Sequence, residues 1–196
     1  MDNEKIQKEL LDACKKGDLK RLKLVIEDGA DINSKDPEKQ MTPLIIASDK
    51  GYIDIVKLLT DRKANVFLVD YYGWSPLFYA VDRGHEEIVR ILLEKNSDTN
   101  CRDQEKATPI MKAAIKNYIK IGTMLIKSRA DLNAKDKNGE TALIHASVKG
   151  NLPFVKLLIE NKADPTIENK NRNTALTYAQ FKKHLDIVAY LESLPK

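Results

Sequence analysis

Apolar residues fall along the chain in two alternating kinds of burst, separated by polar loops. The first kind follows a hydroxyl residue: Thr42-Pro-Leu-Ile-Ile-Ala47, Ser75-Pro-Leu-Phe-Tyr-Ala80, Thr108-Pro-Ile-Met-Lys-Ala113, Thr141-Ala-Leu-Ile-His-Ala146 and Thr174-Ala-Leu-Thr-Tyr-Ala179. The hydroxyls stand 33 residues apart at each step, and an alanine comes five residues after each of them. The second kind is Ile55-Val-Lys-Leu-Leu59, Ile88-Val-Arg-Ile-Leu92, Ile121-Gly-Thr-Met-Leu125, Phe154-Val-Lys-Leu-Leu158 and Ile187-Val-Ala-Tyr-Leu191. Apolar positions at i, i+1, i+3 and i+4 define one face of a helix. A hydroxyl followed by proline marks a helix start, because the side-chain oxygen accepts from free N–H groups where proline has none to offer. Between the two bursts stand Gly51, Gly84, Asn117, Gly150 and Lys183, and Gly17 opens the series. The pattern predicts helix, turn, helix, loop, repeated six times with Ala13 as the first alanine, at about 1–35, 36–69, 70–102, 103–135, 136–168 and 169–196.

The small residue inside each first helix lets two antiparallel helices approach closely. One such hairpin has too little core to stand alone, so hairpins must stack on their neighbours. Thr-Pro-Leu-x-x-Ala, Gly-x-x-x-Ile-Val-x-x-Leu-Leu and the closing Gly29-Ala-Asp-Ile-Asn33 and Arg129-Ala-Asp-Leu-Asn133 resemble the ankyrin repeat over essentially the whole chain. The resemblance implies an all-α, ankyrin-repeat solenoid in one domain, 1–196, whose β-hairpin-like loops and first helices line a concave groove. The chain departs from the family pattern in three ways. The histidine of Thr-Pro-Leu-His is replaced by Ile45, Phe78, Met111, Ile144 and Thr177. The glycine that ends the second helix survives as Gly29 but becomes Lys63, Asn96, Arg129 and Lys162, where a left-handed backbone costs roughly 1 kcal/mol. The loop-turn glycine is kept at Gly73 and Gly139 and is lacking around Gln40, Lys106 and Arg172. The charged start Glu4–Glu9 and the final Leu191–Lys196 read as capping repeats, and the array reads as complete.

Composition narrows the chemistry. The apolar runs are too short to span a bilayer and the N-terminus lacks the basic and apolar regions of an export signal, so a cytoplasmic protein is expected. The 33 basic and 29 acidic residues look interleaved, weak support for a polyanionic partner. Cys14 and Cys101 form no CxxC pair and fall in distant repeats, which suits a reducing compartment. His85, His145 and His184 lie in different repeats; no HExxH, GxSxG or phosphate-binding loop occurs. No enzyme, cofactor or metal is expected, and the histidines read as structural, with His145 alone on the face a partner would touch.

Helical spacing puts one row of each first helix on a shared face. With the loop residues that the resemblance assigns to the groove, this row gives the expected partner-binding set: Met41, Ile46 and Lys50; Tyr71, Tyr72, Trp74, Tyr79 and Arg83; Lys112 and Lys116. The third repeat stands out, placing three tyrosines, the only tryptophan and an arginine where other loops carry lysine, glutamate and asparagine. That mixture is typical of an interface hot spot. The opposing structural reading makes Val66 core, Gly73 a turn and Phe78 stack interior, with Phe67, Leu68 and Val69 packed beneath a neighbouring loop. The recurrent Lys16, Lys50, Arg83, Lys116, Lys149 and Lys182 satisfy helix C-termini or steer an acidic partner. The expected function is a monomeric, non-catalytic module binding a protein or peptide, in which Trp74→Ala weakens binding and spares the melting temperature. The rival is nucleic-acid or nucleotide binding by aromatic stacking and the basic column.

Overall fold

A computed structural model describes residues 3–195 and contains twelve helices among them. Met1, Asp2 and Lys196, assigned by sequence to the first and last repeats, lie outside the described residues. The helices are α1 Asn3–Lys16, α2 Leu19–Glu27, α3 Pro43–Lys50, α4 Ile53–Asp61, α5 Pro76–Arg83, α6 Glu86–Glu94, α7 Pro109–Lys116, α8 Ile119–Lys127, α9 Ala142–Lys149, α10 Leu152–Glu160, α11 Ala175–Lys182 and α12 Leu185–Glu192. Contacts gather them into two compact units, Met1–Asp98 and Thr99–Lys196. In each unit three helix hairpins stack, inner helices α1, α3 and α5 or α7, α9 and α11 in series, with outer helices meeting at α4–α6, α8–α10 and α10–α12.

The column residues set each hairpin. Thr42, Ser75, Thr141 and Thr174 cap their inner helices, their side-chain oxygens accepting from Ile45, Phe78, Ile144 and Thr177 N–H at 3.2–3.3 Å. Thr108 departs: its hydroxyl is buried without a partner, and its backbone N–H instead meets the Met111 sulfur at 3.4 Å. Ala47, Ala80, Ala113, Ala146 and Ala179 are fully buried, as close helix approach requires. Inner helices end in the left-handed conformation at Gly51, Gly84, Asn117, Gly150 and Lys183, and the expected strain is present at Lys63, Asn96, Arg129 and Lys162, with φ of 60° to 70°.

Unit 1 has its core in Leu10, Leu22, Leu44, Ile45, Leu59, Leu77, Phe78 and Leu92, unit 2 in Ile110, Met111, Leu125, Ile144, Phe154 and Leu158. Where Val56, Val89 and Val155 occupy one outer-helix column, α8 has Gly122, and the space goes to Phe154 of the next hairpin. A Cβ on Gly122 would lie 2.6 Å from the Phe154 ring. Column swaps of this kind conserve total volume in a close-packed interior. In the last hairpin, columns buried in the four preceding hairpins hold exposed Thr177 and Gln180.

No strand occurs among the described residues, so the loops are β-hairpin-like only in their bonding. Asp70 N–H donates to Trp74 C=O at 3.2 Å and Asp136 N–H to Glu140 C=O at 3.0 Å. Adjacent loops share one backbone bond each: Tyr71 N–H to Lys39 C=O, Lys137 N–H to Glu105 C=O and Lys170 N–H to Asn138 C=O, at 2.9–3.0 Å. Asn33 and Asn133 side chains tie further loops together, accepting from Asn65 and Asp164 N–H at 2.8 and 2.9 Å.

Candidate functional site

The loop between α4 and α5 alternates. Val66 and Asp70 are buried, 7% and 5% exposed, while Phe67 is 60%, Val69 36%, Tyr71 65% and Tyr72 49% exposed. Exposure thus alternates with a period of two, 67, 69 and 71 being open between buried or half-buried 66, 68 and 70. The expectation that Phe67 and Val69 pack beneath a neighbouring loop is therefore corrected; Leu68 is half-buried. Tyr71 and Tyr72 meet edge-to-face with ring centres 5.4 Å apart, which fixes both rings outside the core.

The remaining aromatics form a second cluster. Trp74 is half-buried and lies on Phe78 and Tyr79, ring centres 4.7 and 4.9 Å away. Asp70 holds the loop: its Oδ1 accepts from Tyr72 N–H at 2.9 Å and Trp74 N–H at 2.8 Å, and its Oδ2 accepts from the Tyr79 hydroxyl at 2.8 Å. Burial first, and then the Asp70 carboxylate, push the Tyr79 phenol well above the ordinary tyrosine range. Asp103, Asp136 and Asn169 make the same paired backbone bonds in their own loops. The sequence shows this column as an aspartate or asparagine every 33 residues from Asp70 onward, a signal the groove-directed reading passed over.

Of the residues expected on the exposed face, Met41, Ile46 and Tyr79 are corrected: they are buried at 9%, 3% and 9% exposure. Tyr79 is held under its own loop by Trp74 and Asp70, so helical spacing alone overstates how wide the open face is. Trp74 is corrected from exposed anchor to half-buried support. Arg83 is exposed and pairs its Nε with Asp49 Oδ1 at 2.7 Å, linking α5 to α3 and raising its pKa. Lys50 and Lys116 are exposed and Lys112 is half-buried. Lys112 and Lys116 belong to unit 2 and the aromatic strip to unit 1.

The three histidines separate into two kinds. His85 and His184 lie over Gly51 and Gly150, where an added Cβ would be 2.8 Å from the ring, and their Nε2 atoms are 3.3 Å from the Asp49 and Val148 carbonyl oxygens. Tyr52 packs on Gly17 the same way; where Asn117 replaces glycine, Asn151 donates to Ala114 and Ile115 C=O instead. These are packing devices. His145 differs, its ring set between Asp136 and Glu140, the one His/Cys/Asp/Glu group with metal-ligand spacing among the described residues. Cys14 is buried with its thiol donating to Pro43 C=O at 3.0 Å, and burial pushes it up to about 12.

Family comparison gives the ankyrin-repeat description in three overlapping matches, residues 10–103, 72–136 and 110–193. The chain belongs to the ankyrin-repeat family. Ankyrin repeats are generally protein–protein interaction modules on a non-enzymatic scaffold fold. No curated protein matches the sequence. No helix among the described residues of this ankyrin-repeat chain is long and apolar enough to cross a membrane.

Proposed function

We propose that the protein is a non-catalytic binding module that docks a partner protein on the strip Phe67, Val69, Tyr71 and Tyr72, with Lys50 at its rim. The observation that supports this is the exposure of four large apolar side chains within residues 67–72 of one loop, with Tyr71 and Tyr72 in ring contact. Water contact at such rings costs free energy that a folded chain recovers only when they are covered, and clustered exposed apolar surface marks interaction sites. Ordering by Asp70 presents the rings without flexibility to lose on binding. Lys35 Nζ reaches Val69 C=O at 2.8 Å and fixes the strip further.

The test uses Phe67→Ser/Tyr71→Ser/Tyr72→Ser, which touches neither Asp70 nor the buried rings. Partner captured from lysate by the wild type is purified and its affinity measured against both proteins. The expected loss is about 30-fold or more, corresponding to roughly 2 kcal/mol at a hot spot. Unchanged affinity per folded molecule overturns the proposal.

A second reading is favoured by the charge distribution. Residues 99–196 carry 17 Lys and Arg against 10 Asp and Glu, net +7, whereas residues 1–98 carry 16 against 19, net −3. The charges that look interleaved in the whole chain are thus divided by unit, and unit 2 suits an anionic ligand. Binding of a single-stranded oligonucleotide that collapses between low and physiological salt and is untouched by the triple substitution supports this reading. Absence of binding at low salt removes it.

A further inference from the structure

The pairing between a loop acid or amide and the inner helix recurs in three hairpins. Asp70 takes the Tyr79 hydroxyl, Asn169 donates to the Tyr178 hydroxyl, and Asp136 Oδ2 lies 2.9 Å from His145 Nε2. Only histidine brings a second ring atom. A neutral imidazole has one N–H and one lone pair. With Nε2 beside Asp136, the second ring nitrogen, Nδ1, lies 3.8 Å from Glu140 Oε2. The other hairpins have Met41, Trp74, Ala107 or Asn173 at the place of Glu140, so this grouping of two carboxylates around one imidazole belongs to one loop.

The remaining bonds hold the two acceptors in place. Asp136 Oδ1 accepts from Asn138 and Glu140 N–H at 2.8 and 2.9 Å. Glu140 Oε1 accepts from the Tyr178 hydroxyl at 3.0 Å and Asn169 Nδ2 at 3.3 Å. Each carboxylate has one oxygen satisfied by fixed donors and the other directed at the imidazole. The side chains are only 10% exposed at Asp136 and 18% at Glu140 and His145, so two negative charges sit half-buried around one ring.

We propose that His145 Nδ1 and Glu140 Oε2 bind a divalent first-row metal ion, Zn²⁺ by ligand chemistry, with Asp136 as the positioning residue. A histidine that binds metal through one nitrogen usually donates the other N–H to a carboxylate, which fixes its tautomer and raises its basicity. Two ligands at zinc bond lengths of about 2.0–2.2 Å subtend roughly 3.4 Å at a tetrahedral ion, so the 3.8 Å gap closes with a small side-chain rotation. Mixed nitrogen and oxygen ligands favour Zn²⁺ over Mg²⁺ or Ca²⁺. Water fills the remaining positions, leaving the ion open to a further carboxylate.

The test is titration of the full chain with ZnCl₂ by calorimetry at pH 7.5, repeated at pH 5.5. The expected result is one equivalent bound, lost on acidification as protons compete for the imidazole. Glu140→Gln and His145→Gln should each weaken binding at least 10-fold, Asp136→Asn by about 10–100-fold, and Cys101→Ser not at all. Circular dichroism confirms that each variant is folded. In the wild type, Ni²⁺ should broaden the ring signals of His145 and leave those of His85 and His184 sharp, a readout that needs no variant. No zinc uptake overturns the proposal. So does uptake that survives Glu140→Gln, or broadening of His85 or His184 alone.

Discussion

Asp70→Ala removes the group that shapes the aromatic loop. Its carboxylate is 5% exposed and accepts three bonds: from the Tyr72 and Trp74 amides at 2.9 and 2.8 Å, and from the Tyr79 hydroxyl at 2.8 Å. Hydrogen bonds to a charged group are worth about 1.5–3 kcal/mol each, but three that share one carboxylate do not add. Tyr72 lies at the exposed end of the loop, where water can replace the lost acceptor. Tyr79 cannot recover in that way: only 9% of it is exposed, and a stranded buried hydroxyl costs about 1–3 kcal/mol. Together these give an expected loss of about 3–4 kcal/mol. Asp70→Asn keeps one acceptor oxygen for the amides and should cost nearer 1–2 kcal/mol. Urea denaturation followed by circular dichroism and by Trp74 fluorescence reads both losses, the fluorescence reporting on the loop itself. A cycle with Tyr79→Phe isolates the hydroxyl bond, with an expected coupling of about 1 kcal/mol or more. A loss below about 1 kcal/mol for Asp70→Ala, or zero coupling, would show that ring stacking alone orders the loop.

Gly122→Val should cost about 1–3 kcal/mol by overpacking against Phe154, and Phe154→Ile in the same chain should recover most of it, as denaturation midpoints of the three variants would show. Tyr79 has a folded pKa raised above its unfolded value of about 10, so its stabilising effect is complete below that pH and declines as pH rises past it. Tyr79→Phe should flatten the fall in stability measured between pH 10 and 12. Cys14, pushed up to about 12 by burial, should resist a thiol reagent in the native protein at pH 8, while half-buried Cys101 reacts first; mass spectrometry of the labelled peptides distinguishes them.

The fold was legible because its determinants are local and periodic. Thr42 and Ser75 announce helix starts, Ala47 and Ala80 announce close approach, and Gly51 and Gly84 announce turns, each by a physical requirement on one residue type. Burial across the inner helices was less legible. Ile46 and Tyr79 occupy a row that helical spacing alone makes exposed, yet both are buried, and for Tyr79 the cover includes Trp74 and Asp70 of its own loop. Trp74 drew attention by its rarity, although its size suited it to support rather than to reach outward. The outward strip was visible in the alternation of Phe67, Val69 and Tyr71 with Val66, Leu68 and Asp70, a period of two hidden among helical periods. Asp70 was visible only as a column, and its work for Tyr79 needed coordinates, because a hydroxyl at the far side of an inner helix has no mark in sequence. The triad of Asp136, Glu140 and His145 spans a turn and a helix start, a separation outside familiar ligand spacings.

On the proposed function, Phe67, Tyr71 and Tyr72 serve recognition and not folding. Their contribution to stability tests this most directly, by equilibrium denaturation of Phe67→Ser/Tyr71→Ser/Tyr72→Ser beside the wild type. Exposed positions usually shift stability within about 0.5 kcal/mol each, so a total change below about 1.5 kcal/mol is the predicted result. A loss above about 3 kcal/mol, the scale expected of a buried aromatic, would make the strip part of the core instead.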